Sequence, residues 1–356
     1  MRRPRLTQLP SRLPVDGYLL ALVGTVALAA LLPARGPAAT AAEGASTGAV
    51  ALLFFLYGAR LSTREAMAGL RHWRLHLTVL ACTFVVFPVL GLAAGVLVPQ
   101  ILPPTLYTGL LFLCLVPSTV QSSIAFTSIA RGNVAAAICA GSFSSLVGIV
   151  ATPLLAGLVL HQGGGFSAGS LLSIVCRLLL PFLAGQLLRR WVGTWLTRHK
   201  KTLGHVDRGS ILLVVYAAFS AGMVQGIWHQ VSAARLLCLL GVEAVLLTVM
   251  LAATWYGAKK LGFHRADRIA ITFAGSKKSL ASGLPMATVL FGAQAGPAAL
   301  PLMVFHQMQL MVCAVLAKRF AASGAPAPAP AVAGAAAGSA GLKEGSAEAM
   351  ASGPRR

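Results

Sequence analysis

Two lysines stand side by side in the stretch FAGSKKSLASGLPM, which runs from Phe273 to Met286. They lie roughly ten residues into an apolar run at 267–291, close to its middle. One ammonium at that depth costs about 2.5–3.5 kcal/mol to insert into a membrane helix. Two adjacent ones, Lys277 and Lys278, are hard to keep for packing alone. Gly275, Gly283 and Pro285 supply a helix break around them, and Ser276 and Ser279 flank them with hydroxyls. The alternative reading starts this span later and lets both lysines snorkel to the cytoplasmic edge. Lys259 to Arg268 already mark that edge.

A second interruption, LVPSTVQSSI from Leu115 to Ile124, places Ser118, Thr119, Gln121, Ser122 and Ser123 at membrane depth behind Pro117. Freed carbonyls and hydroxyls at such a break can coordinate a cation or bind a substrate. They can equally bond their own backbone and let helices pack closely. Ser142, with Ser144 and Ser145, adds hydroxyls to the next run. His306, Gln307 and Gln309 lie in the last run, where a spacing of three puts His306 and Gln309 on one helical face. Glu243 is the one acid deep in a run. It could carry a proton or partner Arg177 or a lysine, and Arg177 could instead snorkel. No Walker loop, GxSxG or HExxH is present, so no catalytic constellation or cofactor is expected. The six cysteines form no CxxC or Cys/His cluster. They read as small buried hydrophobes, with no metal held by Cys or His.

The elements that must position these residues follow from composition. Of 356 residues, 57% are hydrophobic and 10% charged. A soluble domain carries about 25% charged residues, so this chain has too few to coat a water-soluble body. Ten spans are predicted at about 17–33, 47–61, 74–98, 105–130, 133–160, 168–190, 208–226, 234–258, 267–291 and 297–319. The second is short, and the fourth and ninth are interrupted. The expected domains are an N-terminal arm at 1–16, a ten-helix body at 17–320 and a disordered tail at 321–356, rich in Ala, Gly, Pro and Ser. Arg2, Arg3, Arg5 and Arg12 before the first apolar run also fit a signal peptide, but nine further spans favour an uncleaved helix.

The formal charge of +21 does not point to nucleic acid, because the basic residues sit between apolar runs and not on one soluble face. With the N-terminus and every second connection assigned to the cytoplasm, 24 of the 29 Lys and Arg fall on that side. Only Arg35 and Arg235 fall outside, and Arg177, Lys277 and Lys278 lie within spans. That asymmetry predicts ten spans with both termini cytoplasmic. Ten spans divide into two fives, at about 17–160 and 168–320, and an odd number per half inverts one half in the membrane. The interrupted spans then hold corresponding places. Ser122 and Lys278, 156 residues apart, sit near the offset between halves.

From about Gly17 to Phe320 the chain resembles the bile acid:sodium symporter family, closest to the branch that does not transport bile acids in its vertebrate member. The resemblance is carried by FLYGARLS (Phe55 to Ser62), PSTVQSSIAF (Pro117 to Phe126), ARGNVA (Ala130 to Ala135), LPFLAGQ (Leu180 to Gln186), Gly275 to Met286, and the pair His306 and Gln307. It implies an all-α membrane fold of ten helices in two inverted five-helix repeats. Spans one, two, six and seven would form a panel against a six-span core, in which broken fourth and ninth spans cross. It also implies sodium bound at that crossing and substrate between core and panel. Matched residue by residue, the family's polar site falls at Thr119, Gln121, Ser122 and Ser123, near Gly141 and Ser142, and at or beside Ser276. The family's acidic sodium ligand belongs at that last place. Here no acid stands in the ninth span beyond Asp267 at its mouth, and Lys277 and Lys278 follow instead. A fixed ammonium can replace a bound sodium as the positive charge of such a site.

The function expected from these residues is ion-coupled secondary transport of a small organic or inorganic anion, with sodium or protons as the coupling ion. The site in the plasma membrane, the inner membrane of a bacterium, would be worked by alternating access. A proton-coupled antiporter of the same general fold, or a non-transporting regulator of calcium entry, are the rival expectations. The partners implied are the lipid bilayer and an ionic or small-molecule substrate.

Overall fold

In the computed structural model, residues 17–60, 72–160, 168–224, 226 and 232–323 are described. The arm at 1–16 and nearly all of the tail, at 324–356, lie outside them. The described residues are helical almost throughout, without strands. The helices are α1 (Gly17–Leu31), α2 (Pro37–Arg60), α3 (Trp73–Leu97), α4 (Pro104–Leu115), α5 (Val120–Ile129), α6 (Val134–Val159), α7 (Ala168–Arg198), α8 (Lys200–Val224), α9 (Ala233–Lys260), α10 (Arg265–Gly275), α11 (Leu280–Phe291) and α12 (Ala295–Ala322). Seven of these are long and apolar enough to cross a bilayer alone. The pair α4 and α5 is long and apolar enough only when taken together, and is bent by 65° at a four-residue break. This is an integral membrane protein.

The expected short second span is corrected. Helix α2 has 24 residues and starts at Pro37. Its first half, PAATAAEGAST, is too weakly apolar to register as a membrane run. Alanine is nevertheless the best helix former, and proline fits the first helical position. The connection expected between the sixth and seventh spans is also helical, since α7 continues to Arg198 and α8 begins at Lys200. At that end Arg60 closes α2 by an ion pair with Asp207 of α8.

The helices pack as two groups, joined where α6 meets α7 and where α8 meets α11 and α12. Helix α2 packs on α7 and α8, and α1 packs on α8. In the second group α3, α4, α5, α6, α9, α10, α11 and α12 pack among themselves. The tightest place in the first group is the crossing of α2 and α7. A Cβ on Gly58 would lie 2.0 Å from the carbonyl oxygen of Phe182, and one on Gly185 would lie 2.0 Å from that of Phe55. Only glycine at both positions lets these two backbones meet, as small residues do in membrane helix pairs. These glycines belong to FLYGARLS and LPFLAGQ, so those two motifs are packing motifs. The cysteines are more varied than expected: Cys82, Cys114 and Cys313 are buried, Cys139 and Cys176 half-buried, and Cys238 exposed.

Candidate functional site

Two unwound segments, 116–119 between α4 and α5 and 276–279 between α10 and α11, are each four residues long. The breaks align at an offset of 160 residues (Leu115 with Gly275, Val120 with Leu280), where the sequence suggested 156. They lie against each other. The Ser279 amide donates to the carbonyl of Pro117 at 2.8 Å. The Thr119 hydroxyl donates to the carbonyl of Lys278 at 2.8 Å. The Ser123 hydroxyl donates to the carbonyl of Phe273 at 2.8 Å, and that of Ser118 donates to the carbonyl of Ala274.

The reason lies in the backbone groups that a break sets free. In a continuous helix the Cys114 carbonyl would accept from the Ser118 amide, but that amide donates instead to the Ser144 hydroxyl at 2.9 Å. The Leu115 carbonyl accepts from the Thr152 hydroxyl at 2.9 Å. Carbonyls 114 and 116 then point to one place, and the ammonium of Lys278 fills it. Its Nζ donates to the carbonyls of Cys114 at 2.8 Å and Val116 at 2.9 Å. Its third proton goes to the carbonyl of Thr83 at 2.9 Å.

Thr83 is available because of a flaw in α3. Residues Cys82–Val86 form a π-helical turn. The Phe87 amide there returns to the Cys82 carbonyl, so the Thr83 carbonyl would look to residue 88. That residue is a proline, with no N–H. Phe87 itself lies under the ammonium, 4.1 Å from Nζ to the ring centre. All three ammonium donors are thereby met by carbonyl oxygens, and the Lys278 side chain is 0% exposed. It does not snorkel.

Lys277 is equally enclosed, at 0% exposure, but is held more lightly. Its Nζ donates to the Ser122 hydroxyl at 2.9 Å. It faces the Phe126 ring at 4.5 Å and the Phe273 ring at 5.9 Å. One hydrogen bond and two π faces among the described residues leave it the less saturated ammonium.

Behind the lysines, α12 clamps the second break. The Gln309 side-chain oxygen accepts from the Lys278 amide at 2.9 Å, and its Nε2 donates to the Lys278 carbonyl at 2.8 Å. The same Nε2 lies 2.8 Å from Nδ1 of His306. That nitrogen also lies 3.5 Å from the Lys278 carbonyl, so His306 packs its Nδ1 edge against both groups. Of the expected residues, Ser118, Thr119, Ser122, Ser123, Ser276, Lys277, Lys278, Ser279 and His306 converge here. Ser276 bonds back to the Thr272 carbonyl at 2.6 Å, and Ser279 caps α11 by accepting from the Ser282 amide at 3.2 Å. Gln121 is exposed, and Ser142 and Gln307 are half-buried. Among the described contacts these three side chains do not join the network. The glutamine of α12 that does is Gln309. The helical face shared with His306 was the signal for it, whereas the resemblance had drawn attention to Gln307.

Glu243 and Arg177 do not form the ion pair that was entertained. Arg177 is exposed on α7. Glu243 is 0% exposed on α9, and neither carboxyl oxygen has a hydrogen-bond partner among the described residues. The site therefore concentrates positive charge, hydroxyls and carbonyls, with no carboxylate bonded to either ammonium among the described residues.

Comparisons with known proteins give the family. Over 324 residues the chain is 54% identical to the uncharacterized protein PA2026 of Pseudomonas aeruginosa, covering 90% of this chain and 95% of that one. Over 308 residues it is 51% identical to YfeH of Escherichia coli, a protein provisionally named a symporter, covering 86% and 93%. The sodium/bile acid cotransporter 7 of Mus musculus is 32% identical over 277 residues, covering 75% and 80%. The description SBF-like CPA transporter family matches residues 16–322, which bears out the resemblance drawn from the motifs. The chain belongs to the SBF-like CPA transporter family.

Proposed function

We propose that this protein is a secondary transporter of a small organic or inorganic anion, and that Lys278 holds the place a coupling cation would otherwise take. The observation that carries this reading is the Lys278 ammonium inside three backbone carbonyls where two broken helices meet. Such oxygens suit a small bound cation. A covalently fixed ammonium satisfies them permanently, so the crossing would not need sodium for its assembly. Lys277, tied only to Ser122 and two aromatic faces, is then the charge left to meet an anion. The symporter and cotransporter names of the relatives support ion coupling as such; protons are the coupling ion this reading favours.

The wider architecture is part of the same proposal. Ten membrane segments, counting each broken pair once, would form two inverted repeats of five, with α4 and α5 answering α10 and α11. The first helix group would act as the panel and the second as the moving core, in alternating access. Both termini would be cytoplasmic, in a plasma or bacterial inner membrane, on the strength of the 24-to-2 division of basic residues.

The test is uptake into proteoliposomes at fixed pH, using a panel of labelled small carboxylates, phosphate and sulfate. Uptake should persist when potassium or choline replaces sodium, and should respond to an imposed proton gradient. Strict dependence on sodium would remove the substitution by Lys278. No uptake of any anion, with a cation moved instead, would overturn the substrate class.

A further inference from the structure

Away from the breaks, α9, α10 and α12 enclose an open groove of about 540 Å³. That is within the ~300–1,000 Å³ of ordinary small-molecule sites. Its walls carry Tyr256, Met311 and Val315, which are 60%, 63% and 54% exposed, and the stacked pair Trp255 and Phe320, 4.5 Å between ring centres, also lines it. In a bilayer this face meets acyl chains.

Three features separate it from ordinary lipid-facing surface. First, its head end is basic. Arg319 lines it, and the guanidinium of Arg268 lies 4.0 Å over the Trp255 ring. Arg265 braces the same corner by donating to the Phe320 carbonyl at 2.6 Å. Second, among the described residues no acid pairs with these basic groups: Asp267, the nearby acid on α10, accepts from the side-chain amide of Asn133 at 2.8 Å. Third, two buried polar atoms have no partner among the described residues: Nε of Arg268, and the hydroxyl of Thr272, a fully buried residue that lines the groove. Buried polar atoms are ordinarily hydrogen-bonded, so these two mark an unsatisfied polar corner beside the groove.

We infer that this groove binds one anionic phospholipid of the adjoining leaflet, its phosphate against Arg319 and Arg268 and an acyl chain between α9 and α12. Basic pockets between membrane helices recognise such headgroups. The apolar walls fit the chain, and the unanswered arginines select the charge. The site is separate from the lysine pair, because Phe273 stands between them, 6.0 Å from the Phe320 ring on one side and 5.9 Å from the Lys277 ammonium on the other. It does not depend on which substrate the protein carries.

Native mass spectrometry of the purified full chain tests this directly, with phosphatidylglycerol or phosphatidylcholine added to a nonionic detergent at equal mole fraction. One phosphatidylglycerol should be retained in preference to phosphatidylcholine. Arg319→Ala and Arg268→Ala should each weaken its retention by about fivefold. Val315→Trp, which fills the groove from an exposed wall and keeps both arginines, should also release it. That variant decides the matter if an arginine variant fails to fold. Equal retention of the two lipids, or undiminished retention in the double arginine variant, would overturn the site. So would a dimer whose formation Val315→Trp abolishes, because the occupant would then be a second copy.

Discussion

The break at 116–119 and the break at 276–279 each unwind the chain for four residues between two helices, and each ends on a hydroxyl residue, Thr119 or Ser279, just before the next helix begins. Their chemistry runs in opposite directions. The first contributes carbonyls 114, 116 and 117 as acceptors, and short hydroxyls that reach across to carbonyls 273, 274 and 278. The second contributes two long cationic side chains that reach back. A broken helix in a membrane leaves more acceptors than donors, since each carbonyl has two lone pairs and each amide one proton. Two breaks of the same kind would compete for donors. An ammonium with three protons on one of them corrects the imbalance, and the two breaks hold each other in place.

The comparison is broken most severely at Lys278. Methionine there removes the donor of all three carbonyls bonded to Nζ. Each buried acceptor left unmade costs about 1–3 kcal/mol. The energy recovered by no longer burying an ammonium offsets part of this. Lys278→Met should therefore lower the stability of the detergent-solubilised protein by several kcal/mol, on the order of 3 or more, as well as abolishing uptake. A thermal unfolding midpoint equal to that of the wild type would show that these carbonyls find other partners, and the donor argument would fail.

Lys277→Met probes the other half of the second break, and its expected signature differs. One hydrogen bond to Ser122 and the aromatic contacts are lost, about 1 kcal/mol in all. The unfolding midpoint should move by a few degrees at most, while anion uptake disappears. If Lys277→Met transports normally, the lighter-held ammonium is not the substrate's charge partner. If instead it unfolds as readily as Lys278→Met, the division of labour between the two lysines is wrong.

How far these roles were legible depended on which atoms carry them. Side chains announce themselves, and charged or hydroxylated ones at membrane depth stand out, so Lys277, Lys278, Ser118, Ser122 and Ser123 could be picked from spacing and hydropathy. The cage around Lys278 is made of backbone carbonyls, which every residue has. Cys114 and Val116 look like any apolar neighbours, and the availability of Thr83 depends on a π turn whose register meets Pro88. Pro88 was visible; the π turn that gives it meaning was not. Gln309 was legible through its spacing from His306, while Gln307 came from a motif and faces elsewhere. The first half of α2 was missed for a different reason. Its alanines form helix readily but are only weakly apolar, so a hydropathy pattern sees the membrane run and not the helix that contains it.

The smallest expected effect lies at the two hydroxyl residues that end the breaks, and it is the finest measure of their difference. Ser279 caps its own helix by accepting from the Ser282 amide. Ser279→Ala should therefore cost the ordinary price of a cap, about 0.5–2 kcal/mol, independently of changes elsewhere. Thr119 occupies the matching place but makes no side-chain cap. Its hydroxyl crosses to the Lys278 carbonyl, which also accepts from Gln309. A carbonyl with two donors keeps one when the other is removed, so Thr119→Val alone should cost only about 0.5–1.5 kcal/mol, one net hydrogen bond. The same holds for that bond of Gln309. Removing both leaves the carbonyl only the longer contact with His306 Nδ1 at 3.5 Å, and the double variant Thr119→Val/Gln309→Leu should lose more than the sum of the single variants, by an interaction of about 0.5–3 kcal/mol. The measurement is a double-mutant cycle on unfolding midpoints, with Ser279→Ala/Gln309→Leu as the reference pair. Additivity in the Thr119 cycle, or coupling as large in the Ser279 cycle, would mean that the two hydroxyls do the same job and that the asymmetry between the breaks rests on the lysines alone.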